Sequence, residues 1–187
     1  MENTIIFQIN KCDSIKIILP CLNEELTFCH DVKIVAVINS KEYVLYNYDT
    51  ILWALRCLSA SLESALNHKL DISFLSNDIG YIYNQKIYAT ANQSESTISH
   101  LDEWNDDCLI WNFKEFALWI YNKDSSIFFE ITPVFQWHFS KPETNETYIS
   151  YETFMLEYKS IATIEINKDT AEKLLKQSED LLNSIQT

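Results

Sequence analysis

Short runs of β-branched and aromatic residues, separated by polar turns, fill the N-terminal third of the chain. Residues 4–10 and 15–19 form one pair of runs, and residues 32–39 and 43–48 form a second pair around Ser40-Lys41-Glu42. Runs of this length between polar clusters are typical of β-strands, and a short polar break between two of them favours a hairpin. The pattern therefore predicts four strands at the start of the chain.

The next segment changes from the period of a strand to that of a helix. From residue 51 onwards the apolar positions recur at helical spacing, and Asp49 or Thr50 is placed to cap the first turn. These apolar positions are Ile51, Leu55, Leu58, Leu62, Ala65 and Leu66. The pattern predicts a helix near residues 50–67. Residues 70–75, 81–83 and 86–90 are predicted to be further short strands, with turns at residues 76–80 and 84–85.

The second half of the chain begins with the polar residues 91–100, which predict a loop and the best candidate for a seam within the chain. Residues 115–121 and 126–132 predict a strand pair across a turn at residues 122–125, with Pro133 ending the second strand. Ser150 is placed to cap a short helix that has Tyr151, Phe154, Met155 and Tyr158 on one face.

A strand at residues 161–166 and an amphipathic helix from Asn167 or Asp169 complete the chain. Sequential strands with segregated helices favour the α+β class over a doubly wound sheet. We therefore predict one α+β domain over residues 1–187. Its antiparallel or mixed sheet is packed by the helices near residues 50–67 and 168–185.

Glycine content excludes several large classes of enzyme. The only glycine among the 187 residues is Gly80. Phosphate-binding loops, dinucleotide-binding fingerprints and nucleophile elbows each need at least two glycines, because the backbone must approach the ligand closely or turn sharply. The sequence thus disfavours most nucleotide-dependent enzymes and α/β-hydrolases, and it predicts turns built on Asn, Asp and Ser.

The chain is acidic, and the acidity is concentrated in its second half. Lys and Arg number 14 against 27 Asp and Glu, for a formal net charge of −13, and Arg56 is the only arginine. Such a charge repels nucleic acid and anionic membrane surfaces. It attracts a basic partner and speeds their encounter, although acidity also serves solubility alone.

The cysteines and the N-terminus indicate a reducing compartment. The five cysteines include no C-x-x-C pair, and the N-terminal residues lack the basic and apolar regions of a secretory signal. We therefore expect free thiols, a cytoplasmic location and no membrane span. The four histidines lack metal-binding spacing, so neither a metal nor a cofactor is expected. The adjacent Cys29 and His30 would point to opposite faces of a strand, which disfavours a catalytic pair.

The most unusual local feature is the acidic loop Asp102-Glu103-Trp104-Asn105-Asp106-Asp107. Three interpretations stay open for it. It is a solvated loop whose tryptophan enters the core, a binding surface in which acids surround an aromatic anchor, or a pair of catalytic carboxylates. The binding interpretation assigns partner contacts to Glu103, Trp104, Asp106 and Asp107, with Asp102, Glu143 and Glu146 at the rim.

Three features of the C-terminal part together suggest a family. They are Trp119-Ile-Tyr121 followed by Glu130-Ile-Thr-Pro133, the spacing Tyr151-x-x-Phe154-x-x-x-Tyr158, and the amphipathic helix from Asn167. In these features the chain resembles the small immunity proteins of bacterial toxin–immunity systems, including the contact-dependent growth inhibition type. The resemblance implies binding without catalysis. The protein would occlude the active site of a basic toxin, often a nuclease, with its acidic surface in place of the phosphates.

The sequence as a whole thus predicts a non-enzymatic, acidic inhibitor of a basic protein toxin. Two alternatives remain at this point. One is a hydrolase that uses carboxylates such as Asp102 and Asp106. The other is an adaptor subunit that joins a complex through exposed aromatic residues.

Overall fold

The N-terminal strand pattern folds into a four-stranded antiparallel sheet in which each strand pairs with the next, and a second sheet of the same kind follows in the chain. The computed structural model describes residues 3–19, 26–75, 77–92, 106–139, 141–142, 144 and 146–185. The first sheet contains β1 (Asn3–Gln8), β2 (Ser14–Leu19), β3 (Asp31–Ile38) and β4 (Lys41–Thr50), and the second contains β5 (Leu109–Phe113), β6 (Phe116–Lys123), β7 (Ser126–Pro133) and β8 (Ala162–Ile166).

Within the described residues, four helices accompany the sheets: α1 (Ile51–Leu66), α2 (Ile79–Ala91), α3 (Tyr151–Leu156) and α4 (Lys168–Ser184). The α+β class is therefore confirmed, and the strands form two sheets rather than the single sheet expected. One cluster of buried apolar side chains includes residues of both sheets, α1 and α4. The interpretation of residues 1–187 as one domain stays a prediction, and residues 93–100 of the expected seam lie outside the described residues.

Two of the hairpins turn without glycine. Asn39 and Ser40 join β3 to β4 with φ angles of 49° and 68°, and Asp124 and Ser125 join β6 to β7 with 49° and 70°. Two-residue hairpin loops need positive φ at both central positions, and Asn and Asp tolerate it better than most other residues. The hairpin predicted across residues 122–125 is confirmed, with Ile120 opposite Phe129.

The two long helices predicted from periodicity are confirmed, and they pack against each other. The Thr50 hydroxyl caps α1 by accepting a hydrogen bond from the Trp53 backbone N–H at 3.4 Å, and the Asn167 side chain caps α4 through Thr170 at 2.8 Å. Between the helices, the Ser59 and Ser178 hydroxyls form a hydrogen bond of 2.8 Å. Capping fixes where each helix begins, and the serine pair fixes their relative register.

The strands predicted at residues 81–83 and 86–90 are wrong, because both segments belong to α2. Isoleucine and tyrosine give this segment a strand-like composition. Its buried residues nevertheless fall at helical spacing, at Ile79, Ile82, Tyr83 and Ala89. The predicted strand at residues 70–75 is also wrong. In this segment one isolated β-bridge pairs Asp71 with Asn122. Tertiary packing overrides local propensity in both segments.

The only glycine lies where α2 crosses β7 most closely. A Cβ atom at Gly80 would overlap the Thr132 side chain and the Tyr158 hydroxyl, well inside contact distance. The turn expected at residues 76–80 is therefore wrong at its last two residues, because Ile79 and Gly80 are helical, and Gly80 is required for close packing rather than for a positive φ.

Replacing Gly80 with Ala should destabilise the fold by about 1–3 kcal/mol, because the added methyl group overpacks the contact between α2 and β7. Adding Tyr158→Phe to Gly80→Ala should recover part of this loss, since it removes one of the two groups that the methyl group meets. Urea unfolding of the parent chain, the two single variants and the double variant measures both effects. A Gly80→Ala variant as stable as the parent chain would contradict the close approach.

Candidate functional site

Most of the residues predicted from sequence to contact a partner fall where the structure gives no side-chain position. Asp106 begins a 3₁₀ turn, Asp106–Cys108, that leads into β5, but its side chain is not described. Asp107 and Glu146 are described, and both are exposed. The remaining predicted contacts lie outside the described residues: Asp102, Glu103, Trp104 and Glu143. The acidic loop therefore stays a prediction.

Exposed apolar side chains concentrate elsewhere, between residues 139 and 157. Among the described residues seven large apolar side chains are exposed, and four of them lie in this short stretch. They are Phe139, Tyr148, Ile149 and Leu156, with exposed fractions of 75%, 56%, 40% and 87%. Glu146, Glu152 and Glu157 are exposed in the same stretch, as is the base Lys141. We call these four apolar residues and three glutamates the apolar–acidic segment.

A groove of about 430 Å³ adjoins this segment. Phe139 and Glu146 line it, and Trp137, whose ring centroid is 6.4 Å from that of Tyr148, forms part of its wall. The other lining residues come from α2, from the β5–β6 hairpin and from the chain after β7: Tyr83, Ile87, Asn112, Lys114, Val134, Phe135, Gln136, His138 and Lys141. An apolar groove with a few polar groups at its edge is the usual form of a binding site.

A buried amide holds the groove-forming chain against α2. Asn84 is fully buried on α2, and its Nδ2 donates to the Pro133 carbonyl at 3.0 Å while its Oδ1 accepts from the Phe135 N–H at 2.8 Å. The two bonds fix the direction of the backbone as it leaves β7. No sequence pattern indicates this role, because the strand prediction for residues 81–90 puts Asn84 in a turn.

Stacked aromatic rings dock α3 on α2 beneath the groove. Tyr88 and Tyr151 stack with centroids 3.6 Å apart and planes 3° from parallel. Phe135 meets Tyr151 edge-on at 5.5 Å, and Tyr81 meets Tyr158 edge-on at the same distance. The predicted helix capped by Ser150 is confirmed, but it ends at Leu156, so Tyr158 follows the helix and does not share a face with Tyr151, Phe154 and Met155. Aromatic pairs of this geometry stabilise packing beyond the area that they bury.

His138 lies among these rings in an unusual state. Its ring is 5.1 Å from Phe135 and 6.3 Å from Tyr151, and neither ring nitrogen has a hydrogen-bond partner in the described part of the chain. Burial lowers the pKa of His138 to about 4, because an imidazolium here would lose its hydration without gaining a partner. The ring is therefore neutral at physiological pH and behaves as an aromatic packing group.

Protonation of His138 should oppose folding at acidic pH. Its pKa lies below the ordinary value of 6.5, so the unfolded chain binds more protons and stability falls as the pH drops from about 6.5 towards 4. His138→Phe should reduce the difference in Tm between pH 7.5 and pH 5. A His138→Phe variant with the same difference in Tm as the parent chain would contradict this account.

A second polar site lies on the face of β7 that α2 covers. Glu130 is 4% exposed, and its two carboxylate oxygens accept hydrogen bonds from the Tyr121 hydroxyl at 2.5 Å and the Ser160 hydroxyl at 2.6 Å. Burial raises the pKa of Glu130, and the nearby charge of Asp78 raises it further. No local sequence pattern marks Glu130 as a site residue. The available signal was its position as the only charged residue of the apolar strand β7.

Glu130 opens onto a cavity of about 110 Å³. Its lining is part apolar and part polar: Ile72, Leu75, Asn77, Asp78, Ile79, Tyr121, Lys123 and Glu130. Buried carboxylates of raised pKa are often functional, although structural networks also produce them.

The structure describes some but not all of the residues on which the two catalytic alternatives depend, the carboxylate hydrolase and the Cys29-His30 pair. The predicted carboxylates Asp102 and Asp106 have no described side chains, so that hydrolase stays a prediction. In the Cys29-His30 pair, His30 Nδ1 lies 2.9 Å from the Thr27 hydroxyl, and the Cys29 side chain is exposed. No group of metal-binding side chains occurs within the described ranges. In the same ranges, no helix is long and apolar enough to cross a membrane.

Comparison with known proteins adds no relative. No family model matches the chain, and neither the curated proteins nor the solved structures give a significant match.

Proposed function

We propose that this protein binds a basic protein partner and inhibits it, most concretely as the immunity protein of a bacterial toxin of the contact-dependent growth inhibition or a related type. The observation that carries the proposal is the apolar–acidic segment beside the groove. Interaction hot spots combine a few apolar anchors with a polar rim that excludes water. Phe139 and Tyr148 supply the anchors, and Glu146, Glu152 and Glu157 supply acids.

The charges indicate that the groove and the acidic residues around it bind different parts of the partner. Among the described residues that line the groove, Lys114 and Lys141 outnumber the acid Glu146, so its apolar walls suit an apolar side chain of the partner rather than a basic one. Basic groups of the partner would instead contact the glutamates of the apolar–acidic segment. The net charge of −13 adds long-range attraction to a basic protein, which raises the association rate at low ionic strength.

An acidic inhibitor fits a nuclease toxin in particular. A nuclease active site attracts phosphates through basic residues, so an acidic surface that covers it is held by the same charges. The protein would act in the cytoplasm, where the toxin would reach nucleic acid and where thiols such as Cys12 and Cys29 stay reduced. Binding requires no cofactor and no direct contact with nucleic acid.

Charge reversal in the segment should weaken the inhibition. Glu146→Lys combined with Glu152→Lys should slow association roughly tenfold at low salt, because the pair replaces attraction with repulsion near the contact. The partner is first captured from the native cells on the tagged chain and identified by mass spectrometry. Association rates and rescue of growth in cells that express the partner are then measured with the parent chain and each variant.

Glu179→Lys combined with Asp180→Lys, on the exposed face of α4, gives the same change in net charge away from the segment. This control should keep most of the association rate and the full rescue. Asp106→Lys combined with Asp107→Lys tests the acidic loop predicted from sequence in the same assay. Equal impairment by the α4 variant would show that only net charge matters, and a captured partner that the parent chain does not inhibit would overturn the proposal.

A further inference from the structure

The cavity at Glu130 presents two carboxylates. Glu130, on β7, forms the buried wall of the cavity. Asp78 is exposed at the start of α2. Both side chains line the same small cavity. Two acids at one small cavity repel each other, and burial of Glu130 adds the cost of lost hydration. A cation between them would relieve both effects.

Asp78 is not used by the helix that it precedes. It occupies the N-cap position of α2, where an aspartate normally accepts a hydrogen bond from a backbone N–H of the first turn, but its side chain makes no such bond. Its carboxylate lines the cavity instead. An N-cap aspartate that forgoes its cap leaves its acceptor oxygens available to a ligand.

Within the described residues, no ion pair neutralises the two acids. Lys123 also lines the cavity, and its charge acts on Glu130, yet among the described residues it forms no ion pair with either acid. The hydrogen bonds of Glu130 come from neutral hydroxyls. A buried carboxylate in a protein is normally paired with a cation or bound to a metal.

The remaining walls limit the kind of cation that the cavity can accept. Ile72, Leu75 and Ile79 line part of the cavity, and Leu75 keeps the most exposed apolar surface of the three for the methylene groups of a long side chain. The volume of about 110 Å³ exceeds that needed for a single water molecule several times over. Two acids of the described chain face the cavity, which is few for a metal ion. A planar cation with several N–H donors can instead donate hydrogen bonds to both carboxylates and to the side-chain oxygen of Asn77 at once.

We propose that this cavity is a binding slot for a guanidinium group, held between Glu130 and Asp78 with its aliphatic stem against Leu75. The chemistry fits an arginine side chain of another protein and a free guanidinium compound alike. The slot is independent of the proposed inhibitory function, since small probes test it without any partner.

Methylguanidinium is the first probe, titrated into the full ¹⁵N-labelled chain at low ionic strength while backbone amide shifts are followed by NMR. We expect saturable shifts at Asp78, Ile79 and Tyr121 with a millimolar Kd. Methylurea has nearly the same shape without the charge and should give no saturable shift at these positions. Equal effects of the two probes, or no shift with methylguanidinium, would overturn the proposal.

Variants locate the site. Glu130→Gln should weaken methylguanidinium binding at least tenfold, and the exposed Asp78→Asn should weaken it several-fold in a chain whose core is untouched. Lys123→Met should strengthen binding, because it removes a competing positive charge. Glu63→Gln, on the exposed face of α1, is the matched control and should change nothing. Undiminished binding in both carboxylate variants would refute the slot.

Two further probes distinguish the source of the ligand. N-acetyl-argininamide represents an arginine within a protein, and free arginine represents a small molecule with its own carboxylate. Tighter binding of the amide indicates a protein side chain, because the free carboxylate is repelled by Asp78. Tighter binding of free arginine indicates a small-molecule ligand. Calcium ions that produce the same shifts when methylguanidinium does not would replace the proposal with a metal site.

Discussion

The buried side chain of Asn122 joins three parts of the molecule, and the positions of the sites depend on it. It is 2% exposed on β6, and its Nδ2 donates to the Ala65 carbonyl at the end of α1 at 2.9 Å. Its backbone N–H donates to the Leu70 carbonyl at 2.8 Å, and its own carbonyl accepts from the Ile72 N–H at 3.0 Å. An amide in a low-dielectric interior must satisfy these groups, so the chain after α1 is fixed to the second sheet. That segment supplies Ile72 to the Glu130 cavity and leads into α2.

Strand β7 separates the two sites and contributes to both. Its Glu130 faces the small polar cavity, and its C-terminal end leads through the Asn84 clamp to the groove and the apolar–acidic segment. Between them, Thr132 accepts a hydrogen bond from the Trp119 indole N–H at 2.7 Å and lies against Gly80. The close packing of α2 here explains how one short strand positions a buried carboxylate and an exposed aromatic surface. A substitution at Gly80 or Thr132, where α2 crosses β7, should therefore affect both sites.

Local patterns predicted part of the fold and little of the sites. The helices α1 and α4 and the β6–β7 hairpin were predictable, because periodicity, caps and turn residues are encoded within a few neighbouring positions. The helix α2 was not, because its isoleucines and tyrosines have strand propensity and only burial against β7 selects the helix. Glu146 was predicted at a binding rim and lies at the groove. Glu130 was overlooked, since a single acid within an apolar strand shows its partners only after Tyr121 and Ser160 have been brought to it.

Composition and contacts between near neighbours are enough to specify the α+β class, the acidic charge, the glycine-free turns and the lack of a phosphate-binding loop motif. Which polar groups are buried, and what meets them, depends instead on packing in three dimensions. Glu130 and Ser160 are 30 positions apart, Tyr83 and Asn112 are 29 apart, and Asn84 and Phe135 are 51 apart. Pairings over such distances arise from the packing of α2 and α3 on the second sheet, and no local pattern in the chain specifies them.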